Sequence, residues 1–292
     1  MLTLVTTPTA TQTGTLMAGS PTVTGLSDTS LLAGALGVTG SGVPLLSYVQ
    51  TIDSPTQLTL TNPAYSAGTV PLTFDIEPIS LAEAKAHLRV TFAEDDNDIA
   101  MRLIAAREKC ESYTNRSFLT TTWSQTLDGF PGQFSRFSPA LGSFAQGSYG
   151  YGMGALYGYI PERLLAGTGE PIIIPKARLV AVPSITYIDN NGAPQTMDPS
   201  LYSVEPGDGG RISPGYNTTW PQARVYPGSI VITVQFGYGT SPTNVPMKVK
   251  AGILLALGHL YEHRESVTDT NAWELPQGIR WVLASADWGC RP

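Results

Sequence analysis

The sequence predicts an α+β protein: a helical bundle, with two helices in the N-terminal half and one near the C-terminus, joined to a β-rich part and preceded by a small all-β module. Three observations carry this. Ile79 to Arg116 holds two helix-start signals in tandem. Residues 1–78 contain no Lys or Arg and run in short Thr, Val and Leu alternations. Strand-like runs resume after Pro171 and give way near Val245-Pro246 to an apolar segment of helical period. The expected domains are therefore 1–78, a barrel or sandwich, and 79–292, an α+β core interrupted by a Gly- and Tyr-rich insertion at 132–170.

In the first module the expected strands are Thr15 to Met17, Thr22 to Thr24, Tyr48 to Ile52, Gln57 to Leu60 and Thr69 to Phe74. Turn residues such as Gly19-Ser20-Pro21 and Asp53-Ser54-Pro55 separate them. Ser80 followed by Glu83 is a capping box, with Ile79 placed to staple the first turn. A second helix starts at Asp95 to Asp98, where a carboxylate is expected to cap and the acidic run complements the positive helix end. Its residues Ile99, Leu103, Ala106, Cys110 and Tyr113 form one apolar stripe, with Arg102, Glu108 and Lys109 off it.

Phe118 to Leu127 reads as a strand carrying Trp123. From 132 to 170 the composition turns to Gly, Ser and aromatics, peaking in GSYGYGMGALYGY, and a long insertion loop is expected. Strands return at Ile172 to Ile174, Leu179 to Ile188, Gln195 to Met197, Tyr202 to Val204 and Ile230 to Phe236, with Asp189-Asn190-Asn191-Gly192 as a hairpin turn. The last helix opens at Pro246 and carries Val249, Ile253, Leu257, Leu260 and Tyr261 on its stripe. The closing LPQGIRWVLASADW, with Trp281 and Trp288, is too apolar for a free tail and is expected to dock on its own core or on a partner.

Composition limits function. Only 14% of residues are charged while 30 are Gly and 23 Pro, the profile of many short strands and turns. A net charge of −6 argues against gripping nucleic acid through a summed positive field. The start MLTLVTTPTATQ lacks a positive n-region, and Ile253 to Leu257 is too short to span a bilayer, so a soluble product without a membrane role is expected.

Catalytic look-alikes are weak. His259, Glu262 and His263 match H-x-x-E-H, the spacing of a metal-dependent hydrolase in which two His on one helix face hold zinc and the Glu acts as base. A third ligand would have to come from Glu265, Asp269 or Glu274. An exposed helix end, where His favours the negative dipole, explains the same residues without chemistry. No P-loop or G-x-S-x-G is present, and no cofactor and no enzymatic role are expected. The aromatic insertion, with Tyr149, Tyr151, Tyr157 and Tyr159, suits a protein contact surface. With the β-module it also leaves open a receptor- or carbohydrate-binding role.

Taken in order, ISLAEAKAHLRV, ESYTNRSF, TTWSQTLDGFP, SITYIDNNGAPQTMDPSLYSV, FGYGTSPTNVPMKVKAGILLALGHLYEHRES and LPQGIRWVLA resemble the tailed-phage head-to-tail connector (adaptor) family over roughly 79–131 and 171–283. The phrasing of residues 20–64 resembles small β-modules appended to phage virion proteins. The resemblance implies a virion protein at the head-tail junction, assembled in the host cytoplasm into a homo-oligomeric, dodecameric ring. Its implied partners are the portal protein and a downstream tail or nozzle protein, with genomic DNA passing through the channel without specific binding. An acidic ring suits that passage, because about a dozen copies multiply the charge of each protomer. Arg102 and Lys109 on the second helix, the four insertion tyrosines, Trp281 and Trp288 are the expected partner-interface residues; no metal site is expected.

Overall fold

The computed structural model describes residues 2–32, 35–131, 170–263 and 277–284. The chain divides into two compact units, Met1–Val5 with Thr122–Phe236, and Thr6–Thr121 with Gly237–Pro292. The expected line at residue 78 is not where the contacts part: the N-terminal module groups with the helices, and the later strands form the other unit.

In the larger unit, β2 (Thr9–Leu16), β3 (Thr22–Thr24), β4 (Ala35–Gly40), β5 (Ser47–Ser54), β6 (Gln57–Leu60) and β7 (Gly68–Ile76) close a barrel in the order β2-β3-β6-β5-β4-β7. β2 and β7 pair along their whole length, from Thr9 opposite Asp75 to Leu16 opposite Gly68. Inward positions of β2 are Gln12, Gly14 and Leu16. Gly14 is required by space: a Cβ there would lie 2.8 Å from both Leu72 Cδ1 and Val23 Cγ1. Buried Gln12 is satisfied by donating to the Asp28 carbonyl at 2.7 Å and accepting from Ser27 Oγ at 3.0 Å.

Helix α1 (Leu81–Leu88) begins as the sequence predicts. Ser80 Oγ accepts from the Glu83 amide at 3.2 Å, and the Ser80 amide donates to Glu83 Oε2 at 2.9 Å. Helix α2 (Asp96–Thr114) buries Ile99, Leu103, Ala106 and Cys110 of the predicted stripe, and its last member, Tyr113, is half-buried against the same core. Burial pushes the Cys110 thiol up to about 12, with the Glu111 carboxylate adding to it, so it stays protonated as a small apolar filler. Helix α3 (Met247–Glu262) buries Val249, Ile253 and Leu257, and barrel and helices share one apolar core.

The closing segment contains a short helix, α4 (Gln277–Leu283), which the sequence pattern did not predict. It seats Ile279 and Leu283 in that core. Gly252 of α3 makes room, since a Cβ there would lie 2.7 Å from Leu283 Cδ2.

The other unit contains a five-stranded sheet ordered β1-β8-β14-β10-β11, formed by β1 (Leu2–Thr6), β8 (Thr121–Leu127), β14 (Ile230–Phe236), β10 (Leu179–Ile188) and β11 (Pro194–Thr196). A three-stranded sheet, β12 (Tyr202–Glu205), β13 (Arg211–Pro214) and β9 (Ile172–Ile173), accompanies it. Ile230, Ile232, Val234 and Phe236 face the core in strict alternation. Phe130 stacks on Trp220 with ring centres 5.0 Å apart, and Lys176 Nζ lies 4.6 Å from the centre of the Trp123 ring.

Candidate partner interface

The helices position their charged side chains from the caps outward. At the N-cap of α2, Asp95 makes no side-chain capping bond. Its carboxylate accepts instead from Tyr261 Oη of α3, 166 positions away. The expectation of a carboxylate cap is corrected here: a tertiary phenol has claimed the acceptor. Asp96, almost wholly buried, accepts from Lys85 Nζ of α1 and from Gln50 Nε2 of β5. One carboxylate thus ties α1, α2 and the barrel together, with charge-assisted bonds offsetting its desolvation.

A second network surrounds Arg107. Its Nε donates to Glu77 Oε2 at 2.7 Å and its Nη1 to Glu111 Oε2 at 2.7 Å, and Glu111 Oε1 accepts the Phe118 amide at 2.6 Å. Burial raises Glu77 to about 7; the neighbouring Arg107 pulls the other way, while Glu111 and Asp75 add to the rise. Glu77 follows the last barrel strand, so this pair also fastens the barrel to α2.

Of the predicted interface residues, Arg102 is engaged within the protomer. It donates to Asp98 Oδ2 at 2.8 Å and to the Leu260 carbonyl at 2.6 Å, the last turn of α3, where a cation meets unpaired carbonyls. Lys109 is half-buried on the same helix. Trp281 is 82% exposed on α4 while its neighbours Ile279 and Leu283 are buried, so its side chain stands outside the protomer's own core. Tyr149, Tyr151, Tyr157, Tyr159 and Trp288 lie outside the described residues.

The H-x-x-E-H residues lie at the end of α3. His259 and His263 are stacked edge to face with ring centres 4.7 Å apart. Burial, then His263 and Lys109, push His259 below the usual imidazole range. Among the described residues, no group of three or more His, Cys, Asp or Glu is placed to hold a metal ion; Glu265, Asp269 and Glu274 lie outside them. Among the described residues, no helix is long and apolar enough to cross a membrane. Asp189 serves its hairpin: Oδ1 accepts from the Asn191 and Ala193 amides at 2.9 Å each, with Gly192 at φ +86°. Those bonds, the one from Ala193 foremost, hold its carboxyl below the ordinary range.

The partners of Glu77 and Asp96 were not apparent from the sequence. Glu77 carried a signal, as one of only four charges in residues 1–78. Gln50 carried none.

The geometry defines a class first: an α+β chain in which a closed six-stranded barrel shares its core with a helical bundle, while most of the remaining strands build a separate β-unit. No family model matches the chain, and no curated protein matches it. Its fold is that of a chain in the virion of the native gene transfer agent (GTA) particle, at 15% identity and a TM-score of 0.50, covering 72% of this chain and 89% of that one. A chain from the neck of the empty GTA particle in C6 symmetry is also similar, with a TM-score of 0.48, 16% identity and coverage of 72% and 89%. One from the native neck in C12 symmetry has a TM-score of 0.46, 14% identity and coverage of 71% and 87%.

Proposed function

We propose that this chain is a structural component of a phage-like virion and, more finely, one protomer of the ring that joins portal to tail. The supporting observation is that its sequence blocks follow the connector order, and that most of its length takes the fold of a chain found in a particle of that kind. In this reading it does no catalysis and assembles with copies of itself, with the portal and with the next tail or nozzle protein. The packaged DNA passes through without being held. Of the five cations from Lys85 to Lys109, Lys85, Arg102 and Arg107 already pair with carboxylates of the same protomer, so these three are not free to catch phosphates.

Imaging of purified particles with this chain labelled tests the reading. A ring of label at the head-tail junction is the expected result. A chain that stays monomeric with its portal by light scattering, and is missing from particles, refutes it.

Trp281 is the partner anchor in this reading, because an exposed indole flanked by buried Ile279 and Leu283 is a rigid, ready-made hot spot. Trp281→Ala should leave the melting temperature nearly unchanged, as expected for a surface side chain. It should weaken portal attachment by about 2 kcal/mol or more, on the order of 30-fold, read by co-sedimentation. Unchanged attachment removes Trp281 from the interface.

A further inference from the structure

Asn191 is the only asparagine in the sequence that is followed by glycine. The pairing carries a chemistry of its own, because glycine has no side chain to hinder the approach of its nitrogen. Once deprotonated, the Gly192 amide can attack Cγ of Asn191. A C–N bond then closes a five-membered succinimide, and the side-chain amide nitrogen leaves as ammonia. Water opens either ring carbonyl to give aspartate or isoaspartate, and isoaspartate adds a methylene to the main chain. Asn191 and Gly192 are both exposed, so water and base reach them.

The fold holds the pair in the wrong shape for this reaction. The Gly192 amide donates to the Asp189 carbonyl at 3.0 Å, closing a β-turn over Asn190 and Asn191. Neither asparagine has a positive φ, which among the common hydrogen-bonded turns leaves type I. Gly192 follows in the left-handed region at φ +86°, completing a three-residue hairpin loop with a glycine bulge. In such a turn ψ of Asn191 is about 0°. Ring closure needs the Gly192 nitrogen swung into line with Cβ, roughly 120° of ψ away, because the tetrahedral Cα separates its substituents by that angle. The turn bond also occupies the proton that must leave.

Asp189 keeps this turn closed. Its Oδ1 accepts from the Asn191 and Ala193 amides, on either side of Gly192, at 2.9 Å each, and its Oδ2 accepts from Gln195 Nε2 at 3.1 Å. The base of the hairpin is fixed as well, since the Asp189 amide donates to the Ala193 carbonyl and the Arg224 amide to the Ile188 carbonyl, both at 2.9 Å. The carboxylate charge opposes an amide anion beside it. Arg224 Nη1, 3.8 Å from where a Cβ on Gly192 would stand, offsets that field, so the hydrogen bonds decide.

We infer that Asn191-Gly192 is a latent deamidation site and that Asp189 is the residue that restrains it. The inference does not depend on the virion reading. While the bonds to Asp189 hold, the hairpin keeps its register, with Ile188 opposite Pro194. When they are lost, the turn opens and the succinimide forms.

The test incubates the full chain in mildly alkaline buffer beside a free peptide spanning residues 186–197. Digestion and mass spectrometry then follow the amide-to-acid change at Asn191. Two bonds to a charged acceptor hold back the open turn by about tenfold or more, so the chain should deamidate at least that much more slowly than the peptide. Asp189→Ala, with an unchanged melting curve, should bring the chain close to the peptide rate. A parent chain as fast as the peptide, or a folded Asp189→Ala chain as slow as the parent, overturns the inference. Hydrogen exchange at the Gly192 amide gives a reading that needs no variant. Protection of about tenfold over the peptide is expected, and exchange at the peptide rate overturns the restraint.

Discussion

Arg107→Met is expected to destabilise the folded chain by about 3–5 kcal/mol at pH 8, because it strands one buried and one half-buried carboxylate around a vanished guanidinium. Glu77 and Glu111 each rely on Arg107 at 2.7 Å, and Glu77 is almost wholly buried. The loss should shrink in acid. With Arg107 present, Glu77 already titrates near 7 in the folded chain, against an ordinary value of 4.5. The folded state therefore binds the extra proton between those values, and the contribution of Glu77 to stability falls as pH rises from about 4.5 to 7 and is flat above. Without Arg107 the folded value moves higher still, so the decline continues past neutrality. Chemical denaturation of both proteins at pH 5, 6, 7 and 8 should give curves that diverge as pH rises. Equal destabilisation at pH 5 and pH 8 would show that Glu77 and Glu111 reach solvent. Glu77→Gln in the same series should flatten the decline of the parent, on the order of 3 kcal/mol for a shift of that size, since Glu111 still neutralises Arg107.

What was legible in the sequence follows from how local each determinant is. The cap of α1 needs only Ser80 and Glu83, three residues apart, and it forms as expected. The stripes of α2 and α3 depend on spacing alone; Ile99, Leu103, Ala106, Cys110, Val249, Ile253 and Leu257 are buried, while Tyr113, Leu260 and Tyr261 at the helix ends are half-buried against the same core. The hairpin turn at Asp189 to Gly192 is equally local. Determinants that involve distant partners did not show. Asp95 is placed as a cap, but Tyr261 competes for its carboxylate from the far end of the chain. Arg102 looked like a solvated interface cation because its acceptor is a backbone carbonyl on another helix, which no side-chain pattern records.

Barrel strand β4 and residues 9–14 of β2 were missed for a different reason. In β2 the inward positions before Leu16 are Gln12 and Gly14, chosen for fit rather than hydrophobicity, so no apolar alternation marks it; in β4 Leu36 and Val38 do alternate inward, but Gly37 and Gly40 beside them read as turn residues. At Gly40 a Cβ would meet Leu72 Cδ2 at 2.6 Å; the larger partner strand supplies the apolar volume. Helix α4 is short and has Gly278 near its start, poor signals by propensity. It exists because Leu283 fits over Gly252.

Gly237→Ala should be among the most damaging single-methyl changes in the chain, at about 3–5 kcal/mol from backbone strain and overpacking together. Gly237 lies just after β14, with φ at +141°, a conformation closed to residues bearing a Cβ. The added carbon would stand 2.5 Å from the Leu119 carbonyl oxygen and 2.6 Å from both the Leu119 carbonyl carbon and the Thr120 nitrogen. These are backbone atoms and cannot rotate aside. They are also held in place, since the Tyr238 amide donates to the Phe118 carbonyl at 3.3 Å and the Thr120 amide to the Gly239 carbonyl at 2.9 Å. Phe118 and Leu119 are buried in the core shared by barrel and helices, so any retreat of this segment would open that core. Gly278→Ala serves as the control, because a Cβ at that position meets nothing within 4 Å. Thermal unfolding should show a large drop for the first variant and none or a small gain for the second. If both variants melt together, the close approach at Leu119 is relieved by a movement that the packing of Phe118 gives no reason to expect.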